Sequence, residues 1–193
     1  HSVSIIPTGF AAGYTMPVPK EDHRHMTKTR MLQEIISLLG GRAAEEIVIG
    51  DITTGASNDI ERATNIARDM VTKYGMSELG PIKFGDEQEE VFLGRDFSHQ
   101  RNYSEDVATA IDHHIRSIVE DAYDRSKQLL TDNMDTLNRA SEVLLTKEKI
   151  TGHEFRKIMR GEDVDMEVLD EQSIFEMAKQ MEQADQEEAE REL

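Results

Sequence analysis

The sequence predicts a mainly α-helical domain with a small β element at its N-terminus. Apolar residues recur at the 3.6-residue spacing of a helix in several long segments of the chain. Near the N-terminus, β-branched and aromatic residues lie between glycines and prolines, which is typical of short strands. The 193 residues include no cysteine, so packing and hydrogen bonds, rather than disulfides, hold the fold together.

The β element is predicted at residues 2 to 7 and 10 to 16. Gly9 and Gly13 interrupt these apolar stretches, and Pro17 ends the second one. The pattern therefore indicates two short strands rather than one long one.

A first helix is predicted over residues 27 to 49. Gly40 and Gly41 lie in its middle, where each glycine costs about 1 kcal/mol relative to alanine. Such a pair indicates either a break in the helix or a close approach of another backbone. Glu45 and Glu46 follow within two turns. The residues predicted to face inward are Met31, Ile35, Leu38, Leu39 and Ile47.

The first turn of the second predicted helix carries an unusual carboxylate, Asp59. It follows the glycine-containing loop 53 to 57 and lies about 60° from the centre of the apolar stripe, so it is predicted to point towards the interior. A buried carboxylate must be paired, hydrogen-bonded, metal-bound or protonated. Position alone leaves a helix cap and a metal ligand open as roles. The stripe consists of Ile60, Ala63, Ala67, Met70, Val71 and Tyr74.

The segment 76 to 102 is rich in glycine and is predicted to be a loop. Short strands or a hairpin are expected within it, near residues 82 to 84 and 91 to 93. Ser104 then starts a long helix, and another helix is predicted over residues 133 to 145.

The C-terminal part of the chain divides into a last short helix and an acidic tail. Thr151 and Glu154 have the spacing of a capping box, and Gly161 ends the helix that they start. Residues 161 to 193 hold 13 acidic and 2 basic residues, a composition typical of a disordered tail. A short helix is the alternative, because a second capping box precedes apolar residues on one face. The predicted domain is therefore residues 1 to 160.

The charge of the chain excludes some classes of partner. The formal net charge of −17 argues against nucleic acid, because phosphate binding needs a basic surface. It also argues against direct binding to an acidic membrane surface. No run of residues approaches the ~18 apolar residues of a membrane span, and no phosphate-binding G-x-x-x-x-G-K-[ST] loop is present.

Four segments of the chain share a resemblance to one known family: Val3–Pro7, Leu38–Glu46, Thr54–Asp59 and Leu129–Asn133. In this order they resemble the C-terminal peptidase domain of FtsH, the family of membrane-anchored, ATP-dependent zinc metalloproteases. The resemblance covers about residues 1 to 160, and several long motifs in order are far more specific than a lone short pattern.

The resemblance implies a zinc site with Asp59 as its acidic ligand. In that family, two histidines of an H-E-x-x-H helix supply the other ligands, since residues four apart share one face of a helix. The glutamate between them takes a proton from the water that attacks the peptide carbonyl. Glu45 or Glu46 is expected to orient a ligand histidine. An exposed glutamate pair beside Arg42 is the alternative.

The chain itself has no H-E-x-x-H pattern, so the resemblance implies a C-terminal fragment. The zinc helix and its catalytic glutamate are expected upstream of His1. No catalytic residue is therefore expected in this chain, and the chain alone is predicted to be inactive. His23 and His25 are expected to be solvated loop residues, and His114 a core or interface residue. The histidines are His1, His23, His25, His99, His113, His114 and His153.

For the parent protein, the resemblance implies more than this chain contains. An ATPase module that binds ATP and magnesium, and membrane segments, are expected upstream. The parent is expected to be a homo-hexamer at the cytoplasmic face of a membrane that degrades membrane and unfolded proteins. The fragment is expected to be soluble and cytoplasmic, to reach the membrane only through upstream segments, and to bind no nucleic acid. A non-catalytic helical module for assembly or interaction is the alternative.

Overall fold

The computed structural model describes residues 2–7, 13–16, 25–85 and 103–165. Most of these residues are helical, and a small sheet accompanies the helices, which confirms the predicted fold class. The helices are α1 Lys28–Leu38, α2 Gly40–Ala44, α3 Ser57–Thr72, α4 Glu105–Asp132, α5 Met134–Lys147 and α6 Gly152–Met159. Two shorter turns are a π-helical turn at Glu45–Ile49 and a 3₁₀ turn at Thr54–Ala56. The strands are β1 Ser2–Ser4, β2 Tyr14–Met16 and β3 Lys149–Thr151.

The chain forms two compact units, which are described separately. Residues 21 to 134 form the helical unit, and residues 1 to 20 together with 135 to 193 form the sheet unit. The division predicted from composition, a domain over 1 to 160 and a tail over 161 to 193, stays a prediction, because most of the tail lies outside the described residues.

The core of the helical unit lies among α1, α3 and α4. Each of these helices presents its apolar stripe to the others, as the helical spacing predicts. Tyr74 is an exception: it is 54 % exposed, because α3 ends at Thr72 and the stripe ends with it. The buried members are Met31, Ile35, Leu39, Ala63, Ala67, Met70, Val71, Ile111, Ile115 and Ala122.

The helix predicted over residues 27 to 49 is broken rather than continuous. α1 gives way to α2 at Leu39, the π-helical turn follows, and Gly50 ends the run with a φ of 74°. A Cβ at Gly40 would lie 3.9 Å from the Ser126 Oγ, an ordinary contact distance, and one at Gly41 would meet nothing within 4 Å. The glycine pair therefore marks a break and not a close approach of backbones in the described part of the chain.

Ser104 starts α4, as predicted. Its hydroxyl accepts a hydrogen bond from the Val107 N–H at 3.4 Å, and Glu105 and Asp106 lie in the first turn, where the helix dipole favours negative charge. Among the described residues, no helix combines the length and the apolar character that a membrane span requires.

The segment after α3 is irregular as far as the structure describes it. The strand predicted at residues 82 to 84 does not form; instead the Phe84 N–H donates to the Thr72 carbonyl at 2.8 Å. Gly75 has a φ of 57°, and a Cβ there would lie 2.6 Å from the Pro81 Cα, so this turn requires glycine. The strand predicted at residues 91 to 93 lies outside the described residues.

The sheet unit contains a three-stranded antiparallel sheet in the order β2-β1-β3. Val3 pairs with Thr15 on one side and with Ile150 on the other. β1 is shorter than the predicted range, since residues 5–7 are not in a strand, and part of the range predicted for the second strand lies outside the described residues. β3 was not predicted. A strand of three residues between two helices is too short to show an alternating pattern. β1 is the central strand, so its backbone pairs on both sides.

The core of the sheet unit is small. Val143, Ile150 and Ile158 are buried, and Val3 and Val164 pack against them. The capping box predicted at the start of α6 is present, with the Thr151 N–H donating to the Glu154 Oε2 at 2.8 Å. This helix ends before Gly161, whose φ is 73°.

The sheet unit contains a nearly buried ion pair between Lys147 and Glu154. The Lys147 and Glu154 side chains are 6 % and 17 % exposed, and the ammonium also donates to the Asp165 carbonyl at 2.9 Å. Burial raises the pKa of Glu154, but hydrogen bonds from Lys147 and Thr151 outweigh burial and hold that pKa below its ordinary value of 4.5.

We expect Gly41→Ala to stabilise the chain by about 0.4–1 kcal/mol, because alanine restricts the unfolded chain and meets no atom in the fold. Gly50→Ala is the matched control and should destabilise it, since Gly50 has a positive φ. Urea unfolding followed by circular dichroism measures both changes. Equal effects at the two positions would contradict this account of the break.

We expect Glu154→Gln to lower the free energy of unfolding by about 2–4 kcal/mol at pH 7, because it leaves the Lys147 charge almost buried without its partner. A carboxyl with a lowered pKa stabilises the fold above its unfolded pKa and loses this effect as the pH falls through its folded pKa. The difference between wild type and variant should therefore shrink below about pH 4.5. A difference that is the same from pH 7 to pH 3 in urea unfolding would rule out this charge effect.

Candidate metal centre

Asp59 lies in the first turn of α3, directly after the 3₁₀ turn. Its side chain is 49 % exposed, so the predicted inward orientation is only half realised. Ala63, one turn further along the same face, is fully buried, whereas Ile60 is partly exposed. The helical wheel gives the correct side of the helix, but the first turn lies at the margin of the core.

The carboxylate of Asp59 does not cap its own helix. Within the described residues it makes an ion pair with Arg62 at 3.8 Å and no hydrogen bond to an N–H of α3. The same guanidinium lies 3.9 Å from Glu34 on α1. Exposed pairs at such distances contribute little, so the Asp59 oxygens are accessible to a cation from solvent.

The turn before Asp59 is held by the other candidate, Glu45. One carboxylate oxygen accepts the Thr53 hydroxyl at 2.6 Å and the other accepts the Thr53 N–H at 3.2 Å. Arg42 donates to the Thr53 carbonyl at 3.0 Å and lies 3.7 Å from Glu45. The Thr53 hydroxyl accepts the Gly55 N–H at 3.1 Å. All the polar groups of Thr53 are therefore engaged.

These contacts also fix the charge of Glu45. Hydrogen bonds from the Thr53 hydroxyl and backbone lower the pKa of its carboxyl, slight burial opposes them, and the charge of Arg42 adds to the lowering. Glu45 is thus ionised at neutral pH and acts as an acceptor with both oxygens.

Glu46 points to a different element. Its carboxylate accepts a short hydrogen bond from the Tyr123 hydroxyl on α4 and lies 3.8 Å from the Lys127 ammonium. The ammonium also lies 4.6 Å from the centre of the Tyr123 ring. Burial, and then the hydrogen bond and charge of Glu46, raise the pKa of Tyr123 to about 12. Of the two adjacent glutamates, Glu45 contacts the turn before Asp59 and Glu46 contacts α4.

In the part of the chain that the structure describes, no histidine completes a metal site with Asp59. His113 is exposed, and His114, which was predicted to be a core or interface residue, is partly buried; their rings meet edge to face with centroids 5.8 Å apart. His25 is exposed. His1, His23 and His99 lie outside the described residues. In the described ranges, no group of three or more histidine, cysteine, aspartate or glutamate side chains could hold a metal ion.

Asp59 therefore fits zinc as one ligand of a larger set. A carboxylate oxygen is a normal zinc donor, and this one is accessible and loosely paired. Thr53 was not predicted to be part of the site. A threonine followed by Thr54 and Gly55 is a weak turn signal, and its contact with Glu45 spans eight residues of chain.

Comparisons with known proteins identify the sequence relatives of this chain. Residues 1–158 match the sequence model of peptidase family M41. ATP-dependent zinc metalloprotease FtsH 1 of Thermoanaerobacter sp. (strain X514) is 58% identical over 166 residues, which are 86% of this chain and 27% of that protein. ATP-dependent zinc metalloprotease FtsH of Caldicellulosiruptor bescii is 59% identical over 160 residues, or 82% of this chain and 26% of that protein.

The Bacillus subtilis protein named ATP-dependent zinc metalloprotease FtsH is 48% identical over 161 residues, 82% of this chain and 25% of its own length. The chain thus spans about a quarter of the length of these relatives. Since the family match covers most of the chain, and includes the segment that carries Asp59, the chain belongs to peptidase family M41.

Proposed function

We propose that this chain is the part of an ATP-dependent zinc metalloendopeptidase that supplies Asp59 as the acidic zinc ligand. The observation that supports the proposal is the half-exposed, loosely paired Asp59 carboxylate at the start of α3. It lies in the segment that resembles the ligand-bearing segment of the family, and the names of the relatives specify zinc and proteolysis.

The remaining ligands and the catalytic glutamate lie outside this chain in the proposal. None of the seven histidines begins an H-E-x-x-H pattern. When bound, zinc would act as a Lewis acid and activate water for the attack on a peptide carbonyl. Within the chain, Asp59 would hold the ion through the carboxylate that pairs loosely with Arg62, and Glu45 holds the preceding turn through Thr53. Glu46 contacts α4 rather than this turn.

The wider activity is also part of the proposal. Protein substrates follow from the peptidase family, and ATP and magnesium would act in a module outside this chain, as the names of the relatives suggest. A homo-hexamer at the cytoplasmic face of a membrane, which degrades membrane and unfolded proteins, follows from the resemblance to the FtsH family.

Metal analysis of the full-length gene product tests the ligand. We expect about one zinc per chain by mass spectrometry, and a strong loss of zinc and of proteolysis in Asp59→Asn, with ATP hydrolysis retained. The amide replaces an exposed carboxylate of the same shape, so the fold should persist. Asp69→Asn is the matched control on α3; its carboxylate pairs with Lys73 at 3.1 Å, and its zinc content should stay normal.

Undiminished zinc and proteolysis in Asp59→Asn would contradict the assignment of the ligand. A full-length product without zinc would instead favour the non-catalytic helical module. This chain alone should bind no stoichiometric zinc; if it does, His23, His25, His113 and His114 become the candidates.

A further inference from the structure

Residues 54 to 59 connect Thr53 to Asp59 through continuous helical turns. The 3₁₀ turn begins at Thr54 and runs directly into α3, so no irregular residue separates Thr53 from the carboxylate. Ala56, in the middle of this segment, is buried. A displacement of Thr53 therefore displaces Asp59, because helical turns transmit a shift along the backbone instead of absorbing it in a flexible loop.

Thr53 is held by two charged side chains that approach from the same helical run. Glu45 binds its N–H and hydroxyl, and Arg42 binds its carbonyl, so both backbone polar groups of one residue are fixed by side chains. Ala43, which lies between them in the sequence, is buried in the helical unit and so fixes the backbone from which the Arg42 and Glu45 side chains extend. The three residues form a clamp, here named the Thr53 clamp: Arg42, Glu45 and Thr53.

The clamp engages both carboxylate oxygens of Glu45 in contacts with the turn. Each of these two oxygens is an acceptor for Thr53. The clamp also lies outside the apolar core, because Glu45 and Arg42 are 21 % and 24 % exposed and neither belongs to the buried cluster. Its role therefore differs from core packing.

We propose that Glu45 and Thr53 are positioning residues that fix the orientation in which Asp59 meets the zinc ion. This inference rests on the proposed function, since it assumes that Asp59 is a ligand. Residues that orient a metal ligand without touching the metal affect affinity strongly, typically by about 10–100-fold. Unlike the expectation from sequence, in which a glutamate orients a histidine, the glutamate here orients the turn that carries the aspartate.

The test compares zinc affinity in the full-length gene product, measured by competition with a chromophoric chelator. Thr53→Val removes the hydroxyl at constant shape, and Glu45→Gln removes the charge and one of the two acceptors. Both should raise the dissociation constant for zinc about 10-fold or more. Thr53→Ser keeps the hydroxyl and should restore affinity to within about 3-fold of wild type.

Thr27→Val is the matched control. Thr27 caps α1 by accepting the Arg30 N–H at 3.3 Å, so this variant loses a threonine cap of the same kind without touching the clamp. Its thermal midpoint should fall as in Thr53→Val, whereas its affinity for zinc should equal that of wild type.

A second measurement needs no metal. In this chain, hydrogen exchange of the Gly55 amide should accelerate in Thr53→Val and not in Thr53→Ser, because the hydroxyl accepts that N–H. The amides of Ala67 and Met70 in the buried part of α3 should exchange as in wild type.

The outcomes separate this inference from the proposed function. If Asp59→Asn loses zinc while Thr53→Val and Glu45→Gln bind it as wild type does, the positioning role is wrong and the ligand assignment stands. If Asp59→Asn keeps its zinc, both are overturned. A loss of affinity in Thr27→Val equal to that in Thr53→Val would also overturn the positioning role, since it would reflect stability alone.

Discussion

The close packing of α3 against α1 and α4 is the constraint on which the candidate site depends. Ala63 and Ala67 are fully buried on α3, and their small side chains let the three helix axes approach each other. A larger residue at either position would have to displace a neighbouring helix, because interiors are packed as densely as crystals. The same face carries Asp59 one turn before Ala63, so the packing fixes the direction of the carboxylate while leaving it accessible.

Local signals predicted much of this structure. Apolar periodicity identified the long helices, and short-range capping patterns placed their ends at Ser104 and Thr151, because a cap involves residues only three apart. The glycine pair indicated the break near Gly40 but not its form, since a π-helical turn has no sequence signature that differs from an α-helix.

Contacts between distant residues were not predictable in the same way. β3 owes its conformation to pairing with β1, which lies at the other end of the chain. The contact between Glu45 and Thr53 depends on how the chain returns after Gly50, and the exposure of Asp59 depends on what covers the first turn of α3. The sequence thus indicated Asp59, Glu45 and Glu46 as candidates and left the choice between the two glutamates open, because the contact that each one makes follows only from the tertiary arrangement.

The strand order has a consequence for the synthesis of the protein. The central strand β1 is synthesised long before β3, yet the Ile5 N–H and the Ser4 hydroxyl bond to the carbonyl of Glu148, and the Ser4 contact spans 144 residues of sequence. Contacts of such long range form slowly. During translation, the edge of β1 that pairs with β3 therefore stays unpaired until β3 has left the ribosome. Chaperones can bind this edge during that interval.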